Sequence, residues 1–475
     1  MGKIKFGTDG WRAIIDEDFT FENVKVVAQA IADYVNSVKD KEELRGKELI
    51  VGYDTRRNSE EYSETVTNVL TANGIKVILT DRVTSTPAVS FAIKIRNLTG
   101  GVMITASHNP PNYSGIKYKA FYSGSADPGI IDKIEENLFK SKIKEISLEE
   151  AKKKGLLKID NVITDQLEYV MNYVDMELIR NSGFKVIVDS MYGGGGHYIE
   201  DMMKGTSCKV TTIHGERDIT FGGISPEPIG KNLKELIRES KEGSYDIGLA
   251  TDGDVDRIGA TASDGMVLNG QHIMALLLWH FVEDRKMTGS VITTVCGTGI
   301  LKRICEKYGL KLHETPVGFK YICDIMRRED VLIGGEEAGG IGFKNYIPER
   351  DGILSGLLLL EMMACRKKPI KKILDDMEKE FGSYHYLKTS IKLTEATKKK
   401  FMPYIEKNPP SAVLGKKVIE TSTKDGIKFS CEDSSWLIFR LSGTEPILRI
   451  YSEAHTEDDA RKILEFGRDL ATSIK

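Results

Sequence analysis

Three aspartates spaced two residues apart form the pattern in this chain with the clearest chemical meaning. Asp252, Asp254 and Asp256 lie in the segment TDGDVDR. In an extended or loop segment, residues at i, i+2 and i+4 point to one side, so three carboxylates can converge on one divalent cation. Oxygen ligands suit Mg²⁺ or Mn²⁺ better than Zn²⁺, which prefers His and Cys. Three protein ligands also leave coordination positions open for a substrate or a phosphoryl group.

Two other interpretations apply to the same segment. A Gly/Asp turn with solvated acids has the same composition. A calcium loop of the EF-hand type requires glycine at its sixth position and glutamate at its twelfth. This segment has Arg257 and Ser263 there, which excludes the calcium loop. The strand-like run 245–250 leads directly into the acids, and open α/β sheets place their ligand loops at the carboxyl ends of strands.

A second segment with chemical potential, TASHNP, contains Ser107 and His108 and follows the apolar run 101–104. A serine next to a histidine is compatible with a hydrolase. Adjacent loop residues usually point apart, however, and no GxSxG motif surrounds this serine. A turn without catalytic function is the alternative, because Ser, Asn and Pro all favour turns.

Two further segments have the composition of ligand-binding loops. RLSGTEP, residues 440–446, is followed by Arg449, and together they offer hydroxyls, backbone N–H groups and guanidinium groups that match phosphate oxygens. The chain contains no GxxxxGK[ST] loop, and a turn between two strands is the alternative for this segment. GGEEAGG, residues 334–340, combines glycines that allow close backbone approach with acids that can bind vicinal hydroxyls of a sugar. A generic Gly-rich connection is its alternative.

Taken in this order and with these gaps, the four segments resemble the α-D-phosphohexomutase superfamily, which includes phosphoglucomutase and phosphomannomutase. The resemblance covers nearly the whole chain, from FGTDGWR at residues 6–12 to RLSGTEP. It implies that Ser107 is the phosphorylated serine, that Ser107 and the three aspartates form the Mg²⁺ site, and that Glu336 contacts the sugar hydroxyls. The phosphate that is not being transferred is then held by Arg440, Ser442, Gly443 and Thr444.

Single residues also match the family pattern. Arg12 matches an arginine that faces the active site, and Arg56 lies in the strand-end loop YDTR. Lys117, in NYSGIKY, matches a lysine proposed to move protons, and Lys320, in TPVGFKY, ends a loop as in the glucose-type members. These two lysines are the candidate proton carriers, because a lysine near other cations or partly desolvated has a lowered pKa and can act as a base, and an ordinary surface charge is the alternative for each. His108 is expected to orient or bridge groups rather than to transfer protons.

The sequence departs from the family pattern at two positions. Relatives usually read GEES or GEMS in the sugar loop, and Ala338 replaces that serine, which removes one hydroxyl that would bond the sugar. Leu441 stands where proline is common, which changes the stiffness of the loop. The first departure leaves the choice between glucose and mannose open, and neither touches the residues for phosphoryl transfer.

The predicted function is that of a phosphohexomutase. It interconverts hexose 1-phosphate and hexose 6-phosphate of glucose or mannose, through a phosphoserine and a bound hexose 1,6-bisphosphate. The expected cofactors are Mg²⁺ and glucose 1,6-bisphosphate as activator and intermediate. The alternatives are a phosphoglucosamine mutase, a glucose 1,6-bisphosphate synthase and a non-catalytic sugar-phosphate-binding relative. Intact Ser107, Lys117 and the three aspartates argue against the last.

Composition narrows the functional class further. With a net charge of −3, the chain is not predicted to bind nucleic acid by bulk charge, and its expected partner is a hexose phosphate. Its six cysteines form no CxxC pair, so neither a zinc site nor a disulfide framework is predicted. No segment has the length and apolar character of a signal peptide or membrane span. We expect a cytoplasmic protein without membrane contact, as a monomer or homodimer.

An alternation of strand and helix recurs three times, over residues 48–73, 185–204 and 290–308. It predicts an α/β fold class, with three related α/β domains that have mixed sheets, and a C-terminal α+β domain, arranged around a central cleft. The predicted domains are residues 1–160 with the phosphoserine loop, 161–265 with the metal-binding loop, 266–380 with the sugar-binding loop and 381–475 with the phosphate-binding loop.

Overall fold

Four sheets organise the computed structural model, which describes residues 4–441 and 447–473. Within these residues the sheets contain seven, five, four and six strands. The first three are mixed and carry helices between their strands, and the last is antiparallel throughout. The fold class predicted from the sequence is confirmed, whereas the exact domain boundaries stay a prediction.

The first domain contains the phosphoserine segment. Its elements are β1 (Trp11–Ile14), α1 (Phe21–Ser37), α2 (Lys41–Leu44), β2 (Glu48–Tyr53), α3 (Ser59–Ala72), β3 (Lys76–Thr80), α4 (Thr86–Ile95), β4 (Gly100–Ile104), β5 (Tyr113–Ala120), β6 (Gly124–Ser125), α5 (Pro128–Asn137), α6 (Leu148–Lys153) and β7 (Leu157–Asp160). The sheet order is β1-β5-β4-β2-β3-β7, with β6 beside β5. Helix α4 begins sharply because Ser85 caps it and Pro87 lies in its first turn.

The second domain contains the three aspartates. Its elements are α7 (Ile163–Tyr173), α8 (Met176–Arg180), β8 (Lys185–Asp189), α9 (Tyr198–Met203), β9 (Lys209–Ile213), a 3₁₀ turn (Phe221–Gly223), α10 (Lys234–Glu242), β10 (Ile247–Thr251), β11 (Ile258–Ala262) and β12 (Val267–Leu268). The sheet order is β12-β11-β10-β8-β9. Strand β12 lies just beyond the predicted domain end at residue 265 and still pairs with β11.

The third domain contains the Gly-rich segment. Its elements are α11 (Gly270–Trp279), a π-helix (His280–Asp284), β13 (Ser290–Thr294), α12 (Gly299–Tyr308), β14 (Leu312–Thr315), α13 (Phe319–Met326), β15 (Val331–Gly335), β16 (Ile341–Phe343), α14 (Gly352–Arg366) and α15 (Ile370–Phe381). The sheet order is β14-β13-β15-β16. Helix α14 is buried along most of its length, in agreement with its run of leucines.

The C-terminal domain is built on hairpins. Its elements are β17 (His385–Lys392), α16 (Glu395–Lys407), β18 (Ala412–Val413), β19 (Lys416–Ser422), β20 (Ile427–Cys431), β21 (Trp436–Leu441), β22 (Ile447–Ala454) and α17 (Glu457–Ser473). The sheet order is β17-β22-β21-β20-β19-β18. Alternating burial along β20 shows that one face of this sheet packs on a core and the other is more open.

The first three domains repeat one strand arrangement. In each, the first strand of the repeat (β2, β8 or β13) lies between a second strand (β3, β9 or β14) and a third strand (β4, β10 or β15) and is parallel to both. A fourth strand (β5, β11 or β16) pairs antiparallel with the third. The third strands are β4, β10 and β15, and each of the three predicted ligand loops begins at the carboxyl end of one of them. Equivalent positions in three repeats therefore carry the serine, the aspartates and the Gly-rich acids.

Packing joins the domains as well as stabilising them. One continuous hydrophobic core spans the second and third domains, and separate cores fill the first and the last. None of the helices in the described part of the chain combines the length and apolar character that a membrane crossing requires. The second and third domains share a core, so their ligand loops are held in a fixed relation.

Candidate active site

Ser107 and the three aspartates meet although they belong to different domains. The hydroxyl of Ser107 donates to Asp252 Oδ2 at 2.9 Å. Ser107 is buried and has a left-handed backbone with φ 53°. Its N–H donates to Thr105 Oγ1 at 2.8 Å, which fixes the turn that points the hydroxyl at the aspartates. The structure thus brings together the two segments that the sequence predicts as nucleophile and metal site.

A glycine makes this close approach possible. A Cβ atom on Gly253 would lie 2.7 Å from the carbonyl oxygen of Ser107, which is too close for any larger residue. The carbonyl of Gly253 also accepts the N–H of Gly194 at 3.0 Å. Gly253 therefore allows the aspartate loop to lie directly against the serine loop.

The three aspartates form a compact buried cluster. One carboxylate oxygen from each of them lies within 4.8 Å of the others. In the described part of the chain, Asp254 Oδ1 and Asp256 Oδ1 have no hydrogen-bond partner. Burial, together with the charges of Asp256 and Asp254, raises the pKa of Asp252 well above its ordinary value. Converging oxygens without partners fit a hard divalent cation such as Mg²⁺.

Lys117 lies in β5 and contacts the same cluster. Its Nζ is 2.7 Å from Asp254 Oδ2, 2.9 Å from Asp256 Oδ2 and 2.9 Å from Asp9 Oδ2. Burial by itself lowers the pKa of Lys117, but the three carboxylates outweigh burial and raise it above the ordinary value. The expectation of a lowered pKa is therefore wrong for Lys117 in this structure. Its ammonium group is held as a fixed cation between two candidate metal ligands.

Arg56 holds the serine loop through its backbone. It donates to the carbonyl oxygens of Ser107 at 2.7 Å, Asn109 at 2.6 Å, Pro110 at 2.8 Å and Tyr113 at 2.9 Å. The side chain is fully buried, and its Nε lies 3.2 Å from Asp54. Four carbonyl acceptors on one guanidinium group fix the shape of the loop, so Arg56 positions the serine rather than a ligand.

His108 and Arg12 lie on the open side of the serine loop. His108 Nδ1 is 3.4 Å from the Ser107 hydroxyl, so these neighbours do not point apart at this left-handed turn. Burial and the charges of Arg257 and Arg12 lower the pKa of His108 well below its ordinary value, which keeps the imidazole neutral. Arg12 Nη1 donates to Asn109 Oδ1 at 2.8 Å.

The Gly-rich loop is tied to the aspartate loop by a residue that the sequence did not single out. Glu336 Oε2 accepts a hydrogen bond from Arg350 Nη1 at 3.2 Å, and Arg350 Nη2 donates to Asp256 Oδ2 at 2.6 Å. Burial raises the pKa of Glu336, and the charge of Arg350 opposes this shift. Ala338 is partly exposed in the same turn.

Two arginines face each other in the C-terminal hairpin. Arg440 in β21 and Arg449 in β22 are direct cross-strand partners. Like charges directly opposite each other are unfavourable, and an anion between them would relieve the repulsion. Arg440 Nε donates to Asp425 Oδ2 at 2.8 Å, and Asp425 raises the pKa of Arg440 against the effect of burial. The predicted phosphate ligands Ser442, Gly443 and Thr444 lie outside the described residues.

Lys320 is not part of the cluster around Ser107. It lies in the first turn of α13, with its Nζ 5.3 Å from the centroid of the Tyr321 ring. The contacts recorded for it within the described residues do not reach the aspartates or Ser107. Its expected proton transfer stays a prediction.

The structure adds three residues to the site that sequence reasoning missed. Asp9 Oδ2 lies 2.9 Å from Lys117 and contacts Arg350. Thr86 donates its N–H to the Asp254 carbonyl at 3.0 Å and its hydroxyl to the Asp254 side chain. Asp9 lies inside the FGTDGWR motif, which was the available signal for it. Thr86 and Arg350 belong to helix-start sequences that reveal a helix but not what the side chain contacts.

Comparison with known proteins agrees with this geometry along the whole chain. Profiles described as phosphoglucomutase/phosphomannomutase alpha/beta/alpha domains I, II and III match residues 3–145, 165–265 and 269–381. The profile of the C-terminal domain matches residues 390–469. The chain belongs to the phosphoglucomutase/phosphomannomutase family. This family is part of the α-D-phosphohexomutase superfamily, as the sequence resemblance predicted.

Individual relatives match this chain over nearly its full length. A phosphoglucomutase/phosphomannomutase from Thermococcus kodakarensis is 31% identical over 473 residues, covering 98% of both chains. A phosphoglucosamine/phosphogalactosamine mutase from Sulfurisphaera tokodaii is 30% identical over 470 residues, again covering 98% of both. The crystal structure of a protein from Thermus thermophilus assigned as a phosphomannomutase is 29% identical, with a TM-score of 0.86 over 99% of both chains.

Proposed function

We propose that this protein interconverts hexose 1-phosphate and hexose 6-phosphate, with glucose, mannose or both as its sugars, through a phosphoserine at Ser107. The observation that carries the proposal is the 2.9 Å hydrogen bond between the Ser107 hydroxyl and Asp252, at the edge of a buried carboxylate cluster. Phosphoryl transfer requires a nucleophile beside groups that neutralise charge. The relative named phosphoglucomutase/phosphomannomutase supports the same activity.

In this proposal Asp252, Asp254, Asp256 and Ser107 would hold Mg²⁺, which would neutralise the negative charge on the phosphoryl group during its transfer. Lys117 places its ammonium group next to the same oxygens. Arg56 keeps the serine loop rigid through its four carbonyl bonds. Positioning and electrostatics account for most of the catalysis in reactions of this type.

The proposed reaction has two half-steps at Ser107. In the first, the bond between phosphorus and Ser107 Oγ breaks while a bond forms from phosphorus to a sugar hydroxyl oxygen, and the proton of that hydroxyl ends on Ser107 Oγ. The product is a hexose 1,6-bisphosphate, which turns over within the site. In the second half-step the Ser107 hydroxyl oxygen attacks the other phosphate, the bond from that phosphorus to the sugar oxygen breaks, and the serine proton ends on the sugar oxygen. The net reaction moves the phosphate between C1 and C6, and Ser107 ends phosphorylated as it began.

The other contacts of the substrate come from the third and fourth domains. In the proposal Glu336 and the backbone around Ala338 bind the sugar hydroxyls, and Arg440, Arg449 and the segment 442–444 hold the phosphate that is not being transferred. The cross-strand pair of arginines supports this, because its charge repulsion favours an anion. In the proposal Arg12 faces the active site, His108 orients or bridges groups, and Lys320 is a candidate proton carrier.

A phosphoglucosamine mutase activity is the second candidate. The relative from Sulfurisphaera tokodaii that bears this name is nearly as similar to the chain as the relative named for glucose and mannose. Ala338 offers no hydroxyl to the sugar, so this position does not select between a hydroxyl and an amino substituent by a side-chain hydrogen bond. The sugar is therefore decided by measurement of all three substrates.

A coupled assay tests the proposal. Conversion of glucose 1-phosphate, mannose 1-phosphate and glucosamine 1-phosphate to their 6-phosphates is followed with Mg²⁺ and a trace of the matching 1,6-bisphosphate. Turnover with one of the first two sugars supports the proposal, and turnover with glucosamine 1-phosphate alone supports the second candidate. Intact mass measured after incubation with bisphosphate should rise by one phosphoryl group in the intact chain and not in Ser107→Ala. An unchanged mass in the intact chain, dephosphorylated before the incubation, would refute the phosphoserine.

We also propose that the enzyme is cytoplasmic and works as a monomer or homodimer. All six cysteines are free thiols, and five of them are buried, which agrees with a reducing compartment. Light scattering after size-exclusion chromatography distinguishes the two oligomeric states.

A further inference from the structure

Arg350 joins carboxylates from three domains. Its Nη2 donates to Asp9 Oδ2 at 2.5 Å and to Asp256 Oδ2 at 2.6 Å, and its Nη1 donates to Glu336 Oε2 at 3.2 Å. The side chain is 4% exposed, and its guanidinium group lies 5.2 Å from the centroid of the Phe319 ring. One arginine therefore holds a candidate metal ligand and the predicted sugar-binding acid through its two terminal nitrogens.

The backbone around the sugar loop is shaped to permit these contacts. A Cβ atom on Gly340 would lie 2.3 Å from Cδ of Arg350, so only glycine lets the arginine stem pass. A Cβ atom on Gly339 would lie 2.3 Å from the carbonyl oxygen of Ile258, directly after the aspartate loop. The N–H of Ile258 donates to the Gly339 carbonyl at 3.0 Å. The sugar loop and the aspartate loop thus touch through backbone as well as through Arg350.

Because Arg350 contacts carboxylates of both sites, a change in the charge of one carboxylate alters the strength of its bond to the other. A cation bound to the aspartates neutralises Asp256 and weakens its hold on the guanidinium group. The guanidinium then bonds more strongly to Glu336 and fixes its carboxylate for the sugar hydroxyls. In the reverse direction, a Glu336 carboxylate ordered by the sugar would strengthen its own bond to Arg350, weaken the bond from Arg350 to Asp256 and leave Asp256 freer for the cation.

We propose that Arg350 is a positioning residue that couples the metal site to the sugar site, so that Mg²⁺ and the hexose phosphate each strengthen the binding of the other. The inference rests on the proposed function, because it takes the aspartates as the metal site and Glu336 as a sugar ligand. Coupling of this kind is reciprocal, so the factor by which Mg²⁺ tightens the sugar equals the factor by which the sugar tightens Mg²⁺.

Isothermal titration calorimetry on the dephosphorylated enzyme measures the coupling without turnover, since Ser107 then carries no phosphoryl group to transfer to the sugar. Glucose 6-phosphate is titrated with and without saturating Mg²⁺. We expect Mg²⁺ to tighten its binding about tenfold in the intact chain and less than about twofold in Arg350→Gln. Arg350→Lys should fall between them, because lysine keeps the charge but lacks the fork of donors. Arg328→Gln, an exposed arginine of the same domain, serves as the control and should keep the full coupling.

Direct contact between the sugar phosphate and Mg²⁺ would also contribute to the coupling. A second variant, Glu336→Gln, distinguishes that contribution from the one that passes through Arg350. If the coupling passes through Glu336, Glu336→Gln should lose as much of the coupling as Arg350→Gln does. The double variant should then lose no more of it than either single variant. Wild-type coupling in Arg350→Gln would overturn the inference. If that variant does not fold, wild-type coupling in Arg350→Lys would overturn it. An intact chain that binds no hexose phosphate would instead refute the proposed function.

Discussion

Gly253→Ala tests the contact on which the proposed active site depends. Gly253 lies between Asp252 and Asp254, and the Cβ atom of an alanine would lie 2.7 Å from the Ser107 carbonyl oxygen. That oxygen belongs to the backbone and is held by Arg56 Nη2 at 2.7 Å, so it has little freedom to move. The substitution adds one methyl group and removes no chemical group from the site.

The expected losses of activity and stability follow from the distance between the new Cβ atom and the Ser107 carbonyl oxygen. Ordinary van der Waals contact begins at 3.4 Å, so the aspartate loop and the serine loop must separate by about 0.7 Å. The hydrogen bond from Ser107 to Asp252 would lengthen from 2.9 Å to about 3.6 Å, beyond the range of such bonds. A misplacement approaching 1 Å costs about a hundredfold in rate. We expect a loss of kcat between about tenfold and a hundredfold, and a loss of about 1 to 3 kcal/mol in stability from overpacking.

The coupled assay gives kcat, and urea unfolding gives the loss of stability. Gly230→Ala is a matched control in the same domain, since its Cβ atom would lie an ordinary 3.5 Å from Val267. The control should keep wild-type kcat. Wild-type kcat in Gly253→Ala would show that the two loops need not touch for catalysis, and the argument from the Ser107–Asp252 distance would then be wrong.

Three further predictions concern other parts of the site. Asp254→Asn should weaken activation by Mg²⁺ more than about tenfold, because it removes one charge of the metal site. Arg440→Ala should raise KM with little change in kcat, because an anchor for the distant phosphate acts equally in the ground state and the transition state. Burial raises the pKa of Glu453 to about 7, so the stability it contributes is complete below its unfolded pKa and is lost as pH rises through 7. Relative to Glu453→Gln, the intact chain should lose about 3 kcal/mol between about pH 5 and pH 8.

Each of these predictions has an outcome that contradicts it. Unchanged dependence on Mg²⁺ in Asp254→Asn would remove that residue from the metal site. A fall in kcat at constant KM would move Arg440 into the chemical step. Parallel unfolding curves of the intact chain and Glu453→Gln at every pH would show that the acid is solvated, although its Oε1 accepts the Gly299 N–H at 2.8 Å and Trp436 Nε1 at 3.2 Å.

Much of the fold and part of the site could be predicted because their signals are local. The strand before each ligand loop is an apolar run, and the chemistry of the aspartates follows from their own types and spacing. The threefold repetition of strand and helix predicted three related domains. It did not reveal that the three ligand loops occupy the same position after the third strand of each sheet, because strand order is set by packing between helices and sheets.

The prediction for Lys117 shows where local reasoning fails. Desolvation was expected to lower its pKa, and burial does act in that direction. The carboxylates that reverse the shift lie far away in sequence, with Asp254 and Asp256 137 and 139 positions further along the chain. No property of NYSGIKY indicates how many acids will surround its lysine. A pKa depends on the sum of all nearby charges, and that sum exists only after folding.

By itself the sequence determined the elements, the family and the types of the reacting groups, because each of these depends on residues a few positions apart or on motifs read in order. The tertiary structure alone decided the distances among those groups. Arg350 and Asp9 are separated by 341 positions and share a hydrogen bond, and Ser107 reaches Asp252 across 145 positions. Contacts over such separations come from the burial of apolar surface between domains, which fixes distances that no local pattern encodes.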